Sequence, residues 1–168
     1  MGDGDGWVVS ASGERRWGRF GAAGLLLVDG GARRRASGHA GGRAVLLQLR
    51  AGWTHLGGTW GVPGGALDSH EDAVAGALRE AHEETGLDPA AVEVLDERVT
   101  ADLGTWRYTV VLARLRADAP VQRPHAATAE SDEVRWVALA HVADLPLHPG
   151  LATTWPGLRR WAEADLPP

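Results

Sequence analysis

The sequence predicts an α/β domain, a mixed β-sheet held between helices. Three observations predict it. Aliphatic runs of strand length stand at 17–28 and 44–50, and strand patterns return at 92–100, 105–116 and 133–139. Between the two sets lies a loop running into a helical pattern, 60–88, which reads WGVPGGALDSHEDAVAGALREAHEETGLD. A second helical region follows at 151–164. One helix is therefore expected on each side of the sheet.

Residues 1–16 are expected to be an N-terminal extension to a single domain spanning 17–168, long enough to bury a core. The stretch 1–6 is Gly and Asp after its Met, without the basic start and apolar centre of a secretory signal, so a cytoplasmic protein is expected. Residues 7–10 read either as a short edge strand or as an ordered arm. The longest apolar run, 21–28, is too short to span a membrane and reads as a buried strand. The Gly-rich connection after it carries Arg33, Arg34 and Arg35, candidates for touching phosphate, although such charge runs are usually just solvated. Arg50 ends the next strand and is a substrate-binding candidate.

Residues 51–59 form a second loop with Trp53 and His55, aromatic faces on which a base can stack, and Trp53 is the better candidate. Trp60 is expected in the core. A turn at 102–104 joins two strands, the second of which puts Tyr108, Val110 and Leu112 on one face. Residues 140–145 form a turn or short helix. Pro156 should kink the last helical region or split it into two pieces, with Leu158 and Trp161 packing inward.

Composition excludes several chemistries. There is no Cys, hence no disulfide or thiolate, and all 17 basic residues are Arg, so neither a Schiff-base Lys nor a P-loop Lys exists. A net charge of −5 argues against unspecific binding to nucleic acid or to an anionic membrane. Seven His occur without an HExxH pattern, and neither a nucleophile elbow nor a GxGxxG after a strand is present.

The stretch 60–88 carries the functional signal. Ser69 as N-cap, Asp72 behind it and Gly86 as a left-handed stop predict a helix over 70–85. Val74, Ala77, Leu78 and Ala81 form its apolar stripe, while Glu80, Glu83 and Glu84 share an arc of about 100° on another side, expected to point away from the core together. Like charges at i and i+4 cost roughly 0.2–0.5 kcal/mol. A hard divalent cation removes that repulsion, and Mg²⁺ suits it, because it takes one or two carboxylates and keeps other positions for water or phosphate oxygens. The unshielded backbone of Gly64 and Gly65 beside the cluster suits a metal-bridged polyphosphate. Arg79 is spaced to reach Glu71 two turns earlier and fix the geometry. A Glu cluster alone is usually a solvated face; the complete pattern decides for a site.

Gly65, Glu71, Arg79, Glu80, Glu83, Glu84, Gly86 and Leu87 together resemble the signature of the Nudix hydrolases, with Ala81 where a larger aliphatic is usual. The resemblance implies the Nudix fold, an α/β/α sandwich with a mixed sheet, and hydrolysis of a nucleoside diphosphate linked to another group. It implies Mg²⁺ as cofactor, replaceable by Mn²⁺, held by Glu80, Glu83, Glu84 and the Gly64 carbonyl, with Glu71 and Arg79 as the orienting ion pair. Glu80 is implied as ligand or general base. In MutT-like relatives a loop glutamate also joins the site, and Glu130 is the candidate here, with Glu133 as rival. Gly65, Trp53 and Arg50 complete the substrate-binding set.

The markers of ADP-ribose and dinucleoside polyphosphate hydrolases, a Pro or a Tyr about sixteen residues after the box, are replaced by Asp102, Leu103, Gly104 and Thr105. A MutT-like hydrolase of (d)NTPs or modified nucleotides is left as the favoured reading. ADP-ribose, sugar-nucleotide or dinucleoside polyphosphate hydrolysis, and a nucleotide-sensing module without turnover, are the alternatives. The expected partner is a small nucleotide, with neither membrane nor nucleic acid polymer. Nothing in the sequence fixes a homodimer.

Overall fold

The computed structural model describes residues 2–11, 13–29 and 42–165. Arg33, Arg34 and Arg35 lie outside the described residues. In chain order the elements are β1 (Trp7–Val9), β2 (Arg15–Trp17), β3 (Ala22–Asp29), β4 (Ala44–Arg50), β5 (Trp60–Gly61), β6 (Gly64–Ala66), helix α1 (Ala73–Thr85), β7 (Val92–Asp102), β8 (Arg107–Leu115), β9 (Ser131–Ala138) and helix α2 (Pro149–Asp165). Short 3-10 turns stand at Pro89–Ala91 and Leu139–Asp144.

β3 is the centre because all eight of its residues are buried. A strand covered on both faces must be apolar throughout, and this one alternates between two cores. Leu26 and Val28 meet Trp155, Leu158 and Trp161 of α2, whereas Leu25 and Leu27 meet Ala77 and Ala81 of α1. The result is the expected three-layer α/β/α arrangement. Tyr108, Val110 and Leu112 all fall on the α2 side, as does Trp60.

The sheet is mixed. β5, β4, β3, β8 and β7 follow one another across it, while β6 also pairs with β3 and β9 with β4. β3 runs parallel to β8 from Ala22↔Tyr108 to Val28↔Arg114, and the remaining pairings are antiparallel. β3 changes partner along its length. Its first three residues pair with β6, and only Val28 and Asp29 pair with β4. β4 therefore diverges from β3 just where Gln48 and Arg50 lie, leaving a split between β4 and β6.

One expectation is corrected. The run 17–28 is not one strand: Gly18 and Gly21, at φ +102° and +98°, turn the chain, so that Trp17 ends β2 and Ala22 begins β3. Of the two readings of 7–10, the structure gives the short strand, β1 at Trp7–Val9, paired with β2 in a separate ribbon. The ribbon is tied to the body by Trp106 Nε1, which donates to the Trp17 carbonyl at 3.0 Å.

α2 also differs from expectation, continuing through Pro156 as one helix. The proline faces solvent, while Trp155, Leu158, Trp161 and Ala162 anchor the helix to the core on either side of it. Packing thus holds together what the missing N–H at position 156 weakens. Replacing Pro156 by Ala is expected to raise stability by about 1–2 kcal/mol, since an interior helical proline costs about 3 kcal/mol and the freer unfolded chain returns part of the gain. Urea denaturation checks this; an unchanged or lower midpoint would show the helix already relaxed around the proline.

Candidate active site

α1 begins later than 70. Asp72 is the N-cap, its Oδ1 accepting from the Ala75 amide at 2.8 Å, and Gly86 closes the helix at φ 67°. Ser69 does not cap it, since the helix starts only at Ala73; the Ser69 amide and hydroxyl both donate to Asp3, from the chain's start. The small residues Ala77 and Ala81 let α1 lie close on β3 and β8. Close approach also shapes β6: a Cβ on Gly65 would stand 2.5 Å from the Glu80 carboxyl carbon.

Arg79 organises the loop. Its Nε and Nη2 bind the two Glu71 oxygens at 2.7 and 2.9 Å, and Nη2 also donates to the Ala66 carbonyl at 2.9 Å. Nη1 reaches Glu80 at 2.9 Å and Glu83 at 3.3 Å. All five guanidinium donors are thereby used, which a Lys cannot reproduce. The Arg79 hydrogen bond holds the Glu71 carboxyl below its ordinary range, assisted by the Asp68 amide.

The three glutamates of the arc do not share one environment. Glu83 is 53% exposed, the Glu80 side chain 17% and Glu84 only 6%. The expectation that all three point away from the core fails for Glu84, because α1 lies alongside the split between β4 and β6 and this carboxylate reaches into it. Its Oε2 accepts from the Gly64 amide at 2.9 Å and its Oε1 from Gln48 Nε2 at 3.1 Å. Gln48 Oε1 in turn accepts from the Ser131 hydroxyl at 2.9 Å. A polar relay thus links β9, β4, α1 and β6. Burial pushes the Glu84 carboxyl up to about 7 against those two hydrogen bonds, and burial likewise raises Glu80 above its ordinary value despite Arg79.

A divalent cation fits these residues. Glu84 is a buried carboxylate whose hydrogen bonds come from neutral donors, and such a group calls for positive charge. Glu80 and Glu83, the other oxygen donors of the arc, stand on the same helix. A further group lies outside the box: among the described residues Asp3, Asp68 and His70 have ligand atoms within 4.8 Å of one another.

The remaining candidates are distributed along the rim. Arg50 ends β4 and donates from Nε to the His55 carbonyl at 3.2 Å, and its charge acts on Glu84. Trp53 is 71% exposed in the loop beyond it. Glu130 is pinned by its backbone, whose carbonyl accepts from the Ala51 amide at 2.8 Å, and it precedes the relay residue Ser131. Its carboxylate is exposed and makes no hydrogen bond or ion pair with the box among the described residues. Glu133 turns to Arg135 at 3.5 Å. Sequence reading missed Gln48 and Ser131, which hold Glu84 through the relay. One signal was available: Gln48 is the polar residue inside LLQLR, an otherwise apolar strand.

A family model described as NUDIX domain matches residues 23–158. The chain belongs to the NUDIX family. This Nudix hydrolase is 52% identical, over 171 residues covering 99% of the chain and 73% of the relative, to a Mycobacterium tuberculosis protein named "Putative 8-oxo-dGTP diphosphatase 3". It is 40% identical over 153 residues, 91% of the chain but 30% of the relative, to a Bifidobacterium longum nucleoside triphosphate pyrophosphatase/Nudix hydrolase fusion protein. The crystal structure of RenU, a Nudix hydrolase from M. smegmatis, superposes with a TM-score of 0.83 at 46% identity, covering 98% of each chain. A C. elegans Ap4A hydrolase shares the fold, with a TM-score of 0.64 at 17% identity over 85% of this chain and 98% of that one. No helix among the described residues is long and apolar enough to cross a membrane.

Proposed function

We propose that this Nudix hydrolase is a Mg²⁺-dependent pyrophosphohydrolase of (d)NTPs or modified nucleotides, 8-oxo-dGTP foremost. The observation that carries the chemistry is the array of Glu80, Glu83 and Glu84 beside Gly64 and Gly65, with Glu84 buried and lacking a cationic partner of its own. The substrate is supported by the 52% identical relative and its printed name.

In this reading Glu80, Glu83, Glu84 and the Gly64 carbonyl hold Mg²⁺, or Mn²⁺ in its place. The bound cation neutralises phosphate charge and lowers the pKa of water. Arg79 and Glu71 keep the helix start and the loop in register, so that the carboxylates meet the diphosphate without rearrangement. Water attacks a phosphorus of the anhydride, the bridging P–O bond breaks, and nucleoside monophosphate and pyrophosphate leave. Glu80 takes the water's proton. What supports Glu80 over Glu130 is its place on the box helix against Gly65, whereas Glu130 is exposed and, among the described residues, makes no bond to the box.

Incubation with Mg²⁺ and a panel of dNTPs, oxidised dNTPs, ADP-ribose, sugar nucleotides and dinucleoside polyphosphates tests this, beside a Glu83→Gln/Glu84→Gln double variant. The wild type is expected to release a monophosphate from the oxidised dNTP fastest, and the variant to lose at least about 10²-fold in kcat. Tight nucleotide binding without turnover would replace the hydrolase by a sensor; faster cleavage of ADP-ribose or a dinucleoside polyphosphate would replace the substrate.

A further inference from the structure

The N-terminal arm, residues 2–7, does not trail away from the domain. The Gly4 amide donates to Asp68 Oδ1 at 2.9 Å, and its carbonyl accepts from the Arg19 amide at 2.8 Å. Asp3 holds Ser69, and the Gly6 carbonyl accepts from the Gly18 amide at 2.8 Å. The arm is seated so closely that a Cβ on Gly4 would come within 1.9 Å of the Leu67 carbonyl oxygen. Its anchor, Asp68, is bonded through its own amide to Glu71, the partner of Arg79. The arm is therefore joined to the box by a continuous set of bonds.

From that anchor, whose amide is bonded to Glu71 of the box ion pair, the arm continues to Trp7 at the start of β1. There Trp7 meets the 51–59 loop that follows β4. Its ring meets His55 at 5.9 Å and Trp17 at 5.5 Å, both edge-to-face, and the Arg15 guanidinium lies 5.0 Å from its centre. His55 stands next to the box, since its carbonyl accepts from Arg50 at the end of β4, the strand whose Gln48 holds Glu84. Trp7 remains 47% exposed although Arg15, Trp17 and His55 fix its ring. A rigid, half-exposed indole beside a polyphosphate site offers what a nucleobase needs, a flat face already ordered.

We propose that residues 2–7 form one wall of the substrate cleft and that the nucleobase of the substrate stacks on Trp7 beside His55. This rests on the nucleotide-hydrolase reading. The test is steady-state kinetics of wild type, Trp7→Ala and Trp7→Phe with the nucleoside triphosphate turned over fastest, together with inhibition by inorganic tripolyphosphate, which carries no base. Trp7→Ala is expected to raise KM about ten-fold, within the range for loss of one stacked base. Its kcat should stay within about two-fold and its tripolyphosphate inhibition constant unchanged, because the box is untouched. Trp7→Phe should recover most of the KM.

An unchanged KM overturns the proposal. So does a parallel rise of KM and the tripolyphosphate constant, which would make the arm a mere prop for the Asp68–Glu71 side of the box. Absence of turnover by the wild type would fail the hydrolase reading alone. Equilibrium dialysis of the nucleotide and of tripolyphosphate then makes the same comparison, the proposal requiring that Trp7→Ala weakens only the first.

Discussion

Glu84→Gln is expected to abolish most activity and yet to make the protein melt higher when divalent cations are chelated at pH 8. The sign follows from burial. The carboxyl's ordinary value is 4.5, and the folded protein raises it to about 7. Between those values the native state binds more protons than the unfolded one, so stability contributed by this group is present below pH 4.5 and is lost as pH rises through about 7. At about 1.4 kcal/mol per unit the loss approaches ~3 kcal/mol. Glutamine carries no charge to bury, although it accepts only one of the two hydrogen bonds that Glu84 receives, which returns about 1 kcal/mol.

The net gain of about 2 kcal/mol corresponds to roughly 4–8 °C in Tm for a chain of this size. At pH 4 the two proteins should melt together to within the hydrogen-bond term. Mg²⁺ should stabilise the wild type at pH 8 by preferential binding to the native state and leave the variant nearly unmoved. Melts of both proteins at pH 4 and 8, with EDTA or Mg²⁺, decide it. A variant that melts below wild type at pH 8 in EDTA would mean that Glu84 is already compensated within the protein, and the argument for a cation at this carboxylate would lose its basis.

Arg79→Ala should have the second large effect, in the opposite direction. It removes all five guanidinium hydrogen bonds and leaves Glu71, whose side chain is 7% exposed, with the Asp68 amide as its remaining bonded partner. Stranding a buried carboxylate costs about 3–5 kcal/mol, and the partial exposure of Arg79 puts this case at the lower end, about 3 kcal/mol or roughly 6–12 °C. Activity should fall by about 10²-fold through misplacement of Glu80 and Glu83. Arg79→Lys should restore less than half of the stability, because an ammonium lacks the planar fork. Glu71 supplies a pH check: its folded pKa is depressed, so its contribution is present above the ordinary 4.5 and is lost as pH falls through the folded value. The gap between wild type and Arg79→Ala should accordingly narrow in acid. A gap as wide at pH 3 as at pH 7 would assign the loss to packing of the Arg79 stem instead.

The local parts of this site were legible in the sequence because they depend on spacing along one helix. Arg79 stands eight positions after Glu71, and the structure closes that pair at 2.7 Å. Gly86 stops α1 where a left-handed residue was expected. What escaped prediction is set by residues far apart in the chain. Ser69 has the composition of a cap, but Asp3 occupies it, and Asp72 takes the role. Glu84 has the helical phase of a solvated acid, yet it is buried because β3 exchanges β6 for β4 along its length, which no local pattern encodes. Pro156 breaks a helix by propensity and fails to do so where core residues hold both halves. Gln48 was missed too, although a polar residue inside the apolar run LLQLR is a signal of such a distant contact.

The relay from Ser131 through Gln48 to Glu84 also orders events during synthesis. When α1 emerges from the ribosome, Gln48 is already made, but Ser131 at the head of β9 is not, and β8, the parallel partner of β3, also follows α1 in the chain. Until then the Gln48 amide lacks its second bond, and the sheet that sets its angle toward Glu84 lacks three strands. A chain truncated within the loop before β9 would hold the whole signature stretch and still not hold Glu84 in its final setting. The nascent protein is therefore without a finished site until nearly its last strand has been translated, whatever its box already spells.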